Sequence, residues 1–204
     1  MKRILLATVF AAIISSIPMK AQYEAPRHEF SLGMGAINIS GMAIGMNLFA
    51  HGKENIDRNT MFGPLNLEYF YRLDNPWNGK LKIGVQATYF YYDSAFHYNS
   101  AEESPNGYLA ERDTDNCFSI IPAVKFNYVQ TQYFDMYFGL GLGVTFRFNE
   151  GSYGEKEFYN HNKIHFNGQL TLLGLEGGLP NLRFFLEAGF GEQGVFKCGL
   201  RYRM

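Results

Sequence analysis

The chain is poor in tryptophan, with one residue, and in cysteine, with only Cys117 and Cys198 among 204 residues. Two thiols are too few for the disulfide framework that holds small exported domains together. The strand map below puts them on opposite walls, so both are expected to be unpaired. An excess of charge is also missing. A formal net charge of −1 leaves no electrostatic footprint for nucleic acid. The 22 glycines and 7 prolines are dispersed and form no low-complexity run. Past residue 21 there is no apolar run near the ~20 residues that a membrane-crossing helix needs. His97, His161 and His165 are spread over two loops and make no metal motif. Neither a metal site nor a cofactor is expected.

The start of the chain is the one continuously apolar stretch. Lys2 and Arg3 precede Ile4–Ile14, which only Thr8 interrupts; Ser15, Ser16 and Pro18 follow, then Ala21. That order predicts a signal peptide over 1–21, removed on export, with 22–204 as a single domain.

Along the remainder the signal is strict alternation, the mark of strands. From Phe134 to Phe148 the even positions are Phe, Met, Phe, Leu, Leu, Val, Phe and Phe, and the odd ones are polar, tyrosine or glycine. Seven more strands read in the same way, near 28–36, 61–73, 80–92, 117–129, 164–175, 182–191 and 195–204. Leu173 and Leu175 break the sixth, which predicts a bulge near Gly174. Residues 37–50 fit both helical and alternating spacing. One face of the eight strands carries no Asp, Glu, Lys or Arg. The other carries Glu29, Glu68, Arg72, Lys80, Lys82, Lys125, Asp135, Arg147, Arg183, Glu187, Lys197, Arg201 and Arg203.

These faces fit a barrel that is polar inside and apolar outside better than a soluble barrel with a greasy centre. A spanning barrel has an outward apolar band edged by aromatic girdles. Tyr69, Tyr71, Phe126, Tyr128, Phe134, Phe184 and Tyr202 lie toward one rim; Tyr89, Tyr91, Phe118, Phe146, Phe148, Phe166, Phe190 and Phe196 lie toward the other. Short links at 74–79, 131–133 and 178–181 alternate with long ones at 37–60, 93–116 and 149–163. Short turns are periplasmic in such barrels, which places both termini there. Only the last outer link, 192–194, is short against that rule.

The pattern resembles the small eight-stranded outer-membrane barrels, the group of outer-membrane protein X and the membrane domain of outer-membrane protein A. The signal-end "KAQ" and closing "FKCGLRYRM" resemble members from Bacteroidetes-type bacteria. The likeness covers nearly the whole exported chain and is one of pattern, so it transfers no catalytic residue. It implies an all-β, antiparallel, up-and-down barrel in the cell outer membrane. The expected partners are membrane lipid, lipopolysaccharide and the barrel assembly machinery.

A barrel of eight strands is just wide enough for its own side chains. Glu68, Arg147, Glu187, Lys197 and Arg201 are therefore expected to form a lumen charge network, because an unpaired buried charge is costly. Arg72, Lys80, Arg183 and Arg203 are expected at the solvated periplasmic mouth. The long link 93–116 is acidic. Its Glu102, Glu103, Tyr108, Glu111, Asp113 and Asp115 are the candidate interaction surface for a partner protein or for divalent cations near lipopolysaccharide. The expected function is thus structural or surface interaction without enzymatic activity. Two alternatives are a narrow solute channel and a lipid A-modifying esterase built around His165 with Ser119, Glu155 or Glu157. No His-x-Ser pairing supports the esterase.

Overall fold

The computed structural model describes residues 26–42, 56–74, 79–97, 109–153 and 157–204. The expected leader over 1–21 lies outside them. Alternating side chains draw eight strands into one sheet: β1 (His28–Ala36), β2 (Ile56–Arg72), β3 (Leu81–His97), β4 (Leu109–Gln130), β5 (Phe134–Tyr153), β6 (Glu157–Gly178), β7 (Leu182–Gly191) and β8 (Phe196–Arg203). Each pairs antiparallel with the next, and β8 closes on β1 from Glu29↔Arg203 to Ala36↔Phe196. The architecture is the all-β, eight-stranded antiparallel barrel that the alternation predicts. No helix among the described residues is long and apolar enough to cross a membrane. The ambiguous stretch after β1 opens with a single helical turn over 39–42, and 43–55 lie outside the described residues.

Burial is inverted relative to a soluble protein. The large apolar side chains point outward, with Leu142 71%, Ile164 70% and Phe166 93% exposed, while Glu29, Lys82, Arg183, Arg201 and Arg203 are each 0% exposed. The interior is not wholly polar, since Phe70, Phe90, Tyr137 and Phe185 also fill it.

The expected bulge is present. Register shifts fall between Thr171 and Leu173 of β6 against β7, and between Tyr137 and Gly139 of β5 against β6. Leu172 and Leu173 consequently both face outward. Gly174 then turns inward, where a Cβ would come within 2.2 Å of the Tyr137 ring; only glycine lets that ring lie flat across β6.

The strands are very unequal. β1, β7 and β8 have 9, 10 and 8 residues, whereas β2 to β6 have 17, 17, 22, 20 and 22. The extra length lies at the end bearing the long links, where β2–β6 rise together as one projecting sheet. The sequence map ended several of these strands early because polar residues interrupt the outward apolar face: Asp93, Arg112 and Glu150 all occur there. Ladder pairing continues through them, as in Asp93↔Thr114 and Arg112↔Ser152.

Candidate functional site: a charge-filled lumen and a projecting sheet

Inward positions of all eight strands meet in a barrel too narrow for bulk water, so their charges must satisfy one another. At the short-turn end, Asp135 receives Arg183 Nη1 at 2.9 Å and Arg203 Nη2 at 3.2 Å. Glu29 is held by Lys82, by Lys125 at 2.7 Å and by Arg203 Nε at 3.1 Å. Mid-barrel, Arg201 is the hub. Its guanidinium reaches Glu176 at 2.7 Å, Glu68 at 3.0 Å and Glu187 at 3.4 Å. It also donates to the Tyr137 hydroxyl at 2.9 Å, and that hydroxyl donates to Glu187 at 2.6 Å. Lys197 bridges Glu68 and Glu187, the latter at 2.9 Å. The Phe185 ring, 4.6 Å from the Arg201 carbon, closes the hub from one side. Ser31 and Gln86 donate to Glu68, and Thr171 donates to Glu187.

Toward the long-link end the lumen becomes polar and mostly neutral. Ser119 and Thr145 hydroxyls share a hydrogen bond of 2.7 Å, and Thr88 donates to Asn66. The short link between β7 and β8 folds inward here, burying Glu192 and Gln193 completely. Gln193 Oε1 accepts from Lys197, the Gln193 backbone N–H donates to Gln169 Oε1, and Gln169 Nε2 donates to the Gly194 carbonyl. Glu192 Oε1 accepts from Ser40 at 2.5 Å and from Ser119 at 3.4 Å, but its Oε2 has no partner and no cation reaches it among the described residues. Above this plug, Arg147 grips Asp115 through two bonds of 2.6 and 2.7 Å, and Asn149 joins Asp113 and Asp115.

Of the five residues expected as the lumen network, Glu68, Glu187, Lys197 and Arg201 lie in one cluster. Arg147 does not join it; it stands at the opposite end with Asp115. Arg183 and Arg203 are not in a solvated mouth but are fully buried against Asp135. Glu176 was missed, because the bulge before it flips the face that simple alternation assigns. The acidic link also divides. Glu102, Glu103 and Tyr108 lie outside the described residues. Glu111, Asp113 and Asp115 instead belong to β4, and Asp115 is buried inside the barrel. Asp115 was read as loop because β4 begins eight residues earlier than its apolar face does. Cys117 faces inward and Cys198 outward, and both are free thiols. Ser119 hydrogen-bonds Thr145 and Glu192.

No family model matches the chain, and no curated protein does. Ten solved chains match it. One is the attachment invasion locus protein Ail of Yersinia pestis, 14% identical, covering 88% of this chain and 99% of that one with a TM-score of 0.41. Another is that protein bound to the heparin analogue sucrose octasulfate, 16% identical over 87% and 99%, with a TM-score of 0.39. At that distance a likeness says nothing of ligand or activity.

Proposed function

We propose that this chain is exported by cleavage of residues 1–21 and inserts in a bacterial outer membrane as a closed barrel that acts at the cell surface through the β2–β6 projection. The inverted burial is the observation that carries this reading. An exterior of leucine, isoleucine and phenylalanine is stable only against hydrocarbon or another apolar surface, and a charged lumen is stable only when sealed and paired. A spanning strand needs about 9–11 residues; β1 and β7, with 9 and 10, have that length, and β8, with 8, falls one short. The 17–22 residues of β2–β6 exceed that by up to a dozen, or about 40 Å along a strand at 3.3 Å per residue. The lumen has no room for solute: Arg201, Tyr137 and Phe185 cross it mid-barrel, and Glu192 and Gln193 fill it above. The projection is what such a barrel presents to water, and its partner is a surface macromolecule.

The test is fractionation and gel mobility of the protein expressed with its own leader. It should sediment with membranes, require detergent for release, and run at different apparent masses before and after boiling. Recovery in the aqueous periplasmic fraction without detergent would overturn the membrane reading. In planar bilayers the folded protein should be electrically silent; steady unitary conductance would overturn the closed lumen.

A further inference from the structure

Two segments far apart in the chain turn inward at the top of the lumen. β1 ends at Ala36, and Ile37 redirects the backbone with a φ of 59°, a left-handed conformation that a β-branched residue rarely adopts. Beyond it Asn38 and Ser40 are buried. The link after β7 turns in beside them through Gly194, at φ 108°, where a Cβ would stand 2.7 Å from the Ala36 carbonyl oxygen. The Val195 N–H ties the two segments together, donating to the Ala36 and Ile37 carbonyls at 2.9 and 3.1 Å.

What this backbone brings inside is a carboxylate satisfied on one oxygen only. Glu192 is 0% exposed. Ser40 donates to its Oε1, and Ser119 lies 3.4 Å from the same oxygen. Oε2 is sealed from solvent and accepts from no described group. Lys197, five residues along, is already shared among Glu68, Glu187 and Gln193, and Arg147 is held by Asp115. An ionised carboxylate buried without a counter-charge is strongly unfavourable.

The donors around it select the kind of ion that would answer that charge. No cluster of three histidines, cysteines or carboxylates occurs among the described residues, which removes the sites that transition metals favour. The groups at hand are oxygens: Glu192 Oε2 and the hydroxyls of Ser40 and Ser119. Such hard donors suit alkali and alkaline-earth cations. One carboxylate balances one positive charge, and a divalent ion would leave a buried surplus. Magnesium also gives up its waters reluctantly. The closely packed surroundings favour sodium over the larger potassium. The side-chain amides of Asn38 and Gln193, in the same two segments, each keep an unpartnered nitrogen, which suits one water brought in on the ion.

We infer that Glu192, Ser40 and Ser119 bind a sodium ion at the top of the lumen. The ion joins the inward link at 192–194 to the turn at 38–42 and to the β4 wall. Closure of the barrel at this end is therefore tightened by salt through one site, and not through general screening. The site belongs to the closed barrel itself and is separate from whatever the projection meets.

The test compares choline, potassium and sodium chlorides at one ionic strength, so that screening is constant. The full barrel, folded in micelles of a non-ionic detergent, is titrated with urea in each salt. A ligand at about ten times its Kd lowers the unfolding constant about tenfold, and a drop of that size is expected when sodium replaces choline at about 100 mM. Potassium should give less than half of the midpoint shift. Hydrogen exchange at the Val195 amide should slow in sodium alone. In choline Glu192→Gln should be as stable as the native chain or more so, having lost an unbalanced charge. In sodium the order reverses, because the variant gains nothing. Ser119→Ala, which keeps the charge, should cut the sodium effect at least threefold, and Glu68→Gln, lower in the lumen, should retain it. Equal stability of the native barrel in all three salts overturns the inference, and Glu192 is then neutralised by a proton. A sodium effect that survives Glu192→Gln overturns it too, by placing the ion elsewhere. Should Glu192→Gln not fold, Ser119→Ala decides: an undiminished sodium effect there overturns the site.

Discussion

The lower and upper halves of the lumen solve one problem in two ways. Around Arg201 and Glu29, carboxylates and cations alternate so closely that each carboxylate touches at least two positive groups. Around Glu192, hydroxyls and amides do the filling and the carboxylate has no cation among the described residues. The difference follows the wall outside. Where all eight strands are present and their outward faces are apolar, nothing but side chains can solvate a charge. Where β1, β7 and β8 have ended, the proposed membrane placement puts the projection in water, and pairing loosens to the half-open Arg147–Asp115 bridge and the exposed Arg112 over Asp93.

The contrast breaks most visibly at Arg201. Arg201→Met keeps the volume but leaves Glu68, Glu176 and Glu187 with one less cation between them. Removing one member of a buried ionic cluster strands the others, at about 3–5 kcal/mol. Urea titration of the folded barrel in micelles, read by tryptophan-independent far-UV dichroism, should show a loss of that size. A loss under 1 kcal/mol would mean that water enters the lumen after all.

The next effect sharpens the outside half of the argument. Leu32 is 57% exposed in the middle of β1, a strand of spanning length only. On a soluble barrel Leu32→Arg would change stability by a few tenths of a kcal/mol, because exposed substitutions usually do. On a lipid face near the midplane it should be worth about 2–4 kcal/mol. The matched change at the projection, Phe148→Arg, should have a smaller effect because Phe148 pairs with Asn162, past the end of β7, where the same reading puts water outside the strand. Equal small effects at both positions would remove hydrocarbon from the account.

Why the sequence carried so much of this, and not all, follows from particular residues. Alternation has a period of two and needs only local order, so Phe134–Phe148 declared their faces and eight strands could be counted. The ends of β2–β6 were hidden because Asp93, Arg112 and Glu150 look like loop when an apolar face is the criterion. They are strand because the ladders with neighbouring strands continue past the apolar band, as in Asp93↔Thr114 and Glu150↔Thr114. Glu176 was hidden by the two-leucine bulge at 172–173, since one extra residue exchanges inside for outside. The inward fold of Glu192–Gly194 could not be read at all. It depends on Asn66, Gln169, Lys197 and Ser40, up to 152 residues away, and no local pattern encodes such a contact.

A third change tests the hub's geometry rather than its charge. Tyr137→Phe removes the hydroxyl that takes a bond from Arg201 and gives one to Glu187. Hydrogen bonds to charged groups are worth about 1.5–3 kcal/mol, and the loss should fall at the lower end because Lys197 still holds Glu187. Gly174→Ala should have a similar effect by a different route, since its methyl would displace the same ring. The double variant should then lose less than the sum of the two, because both act through one side chain.

The smallest expected effect has the opposite sign. Glu192→Gln preserves shape and leaves an oxygen to accept from Ser40, but removes a negative charge that no described cation offsets. Burying an ion without a counter-charge is unfavourable, so its removal should leave stability unchanged or raise it by up to about 1 kcal/mol in the same urea titration. Glu68→Gln, at a carboxylate touched by both Lys197 and Arg201, should instead lower stability by several kcal/mol. The pair of substitutions is chemically identical and differs only in what surrounds it. If both destabilise alike in sodium-free buffer, the Glu192 charge is offset after all, and the upper lumen is charge-paired like the lower one.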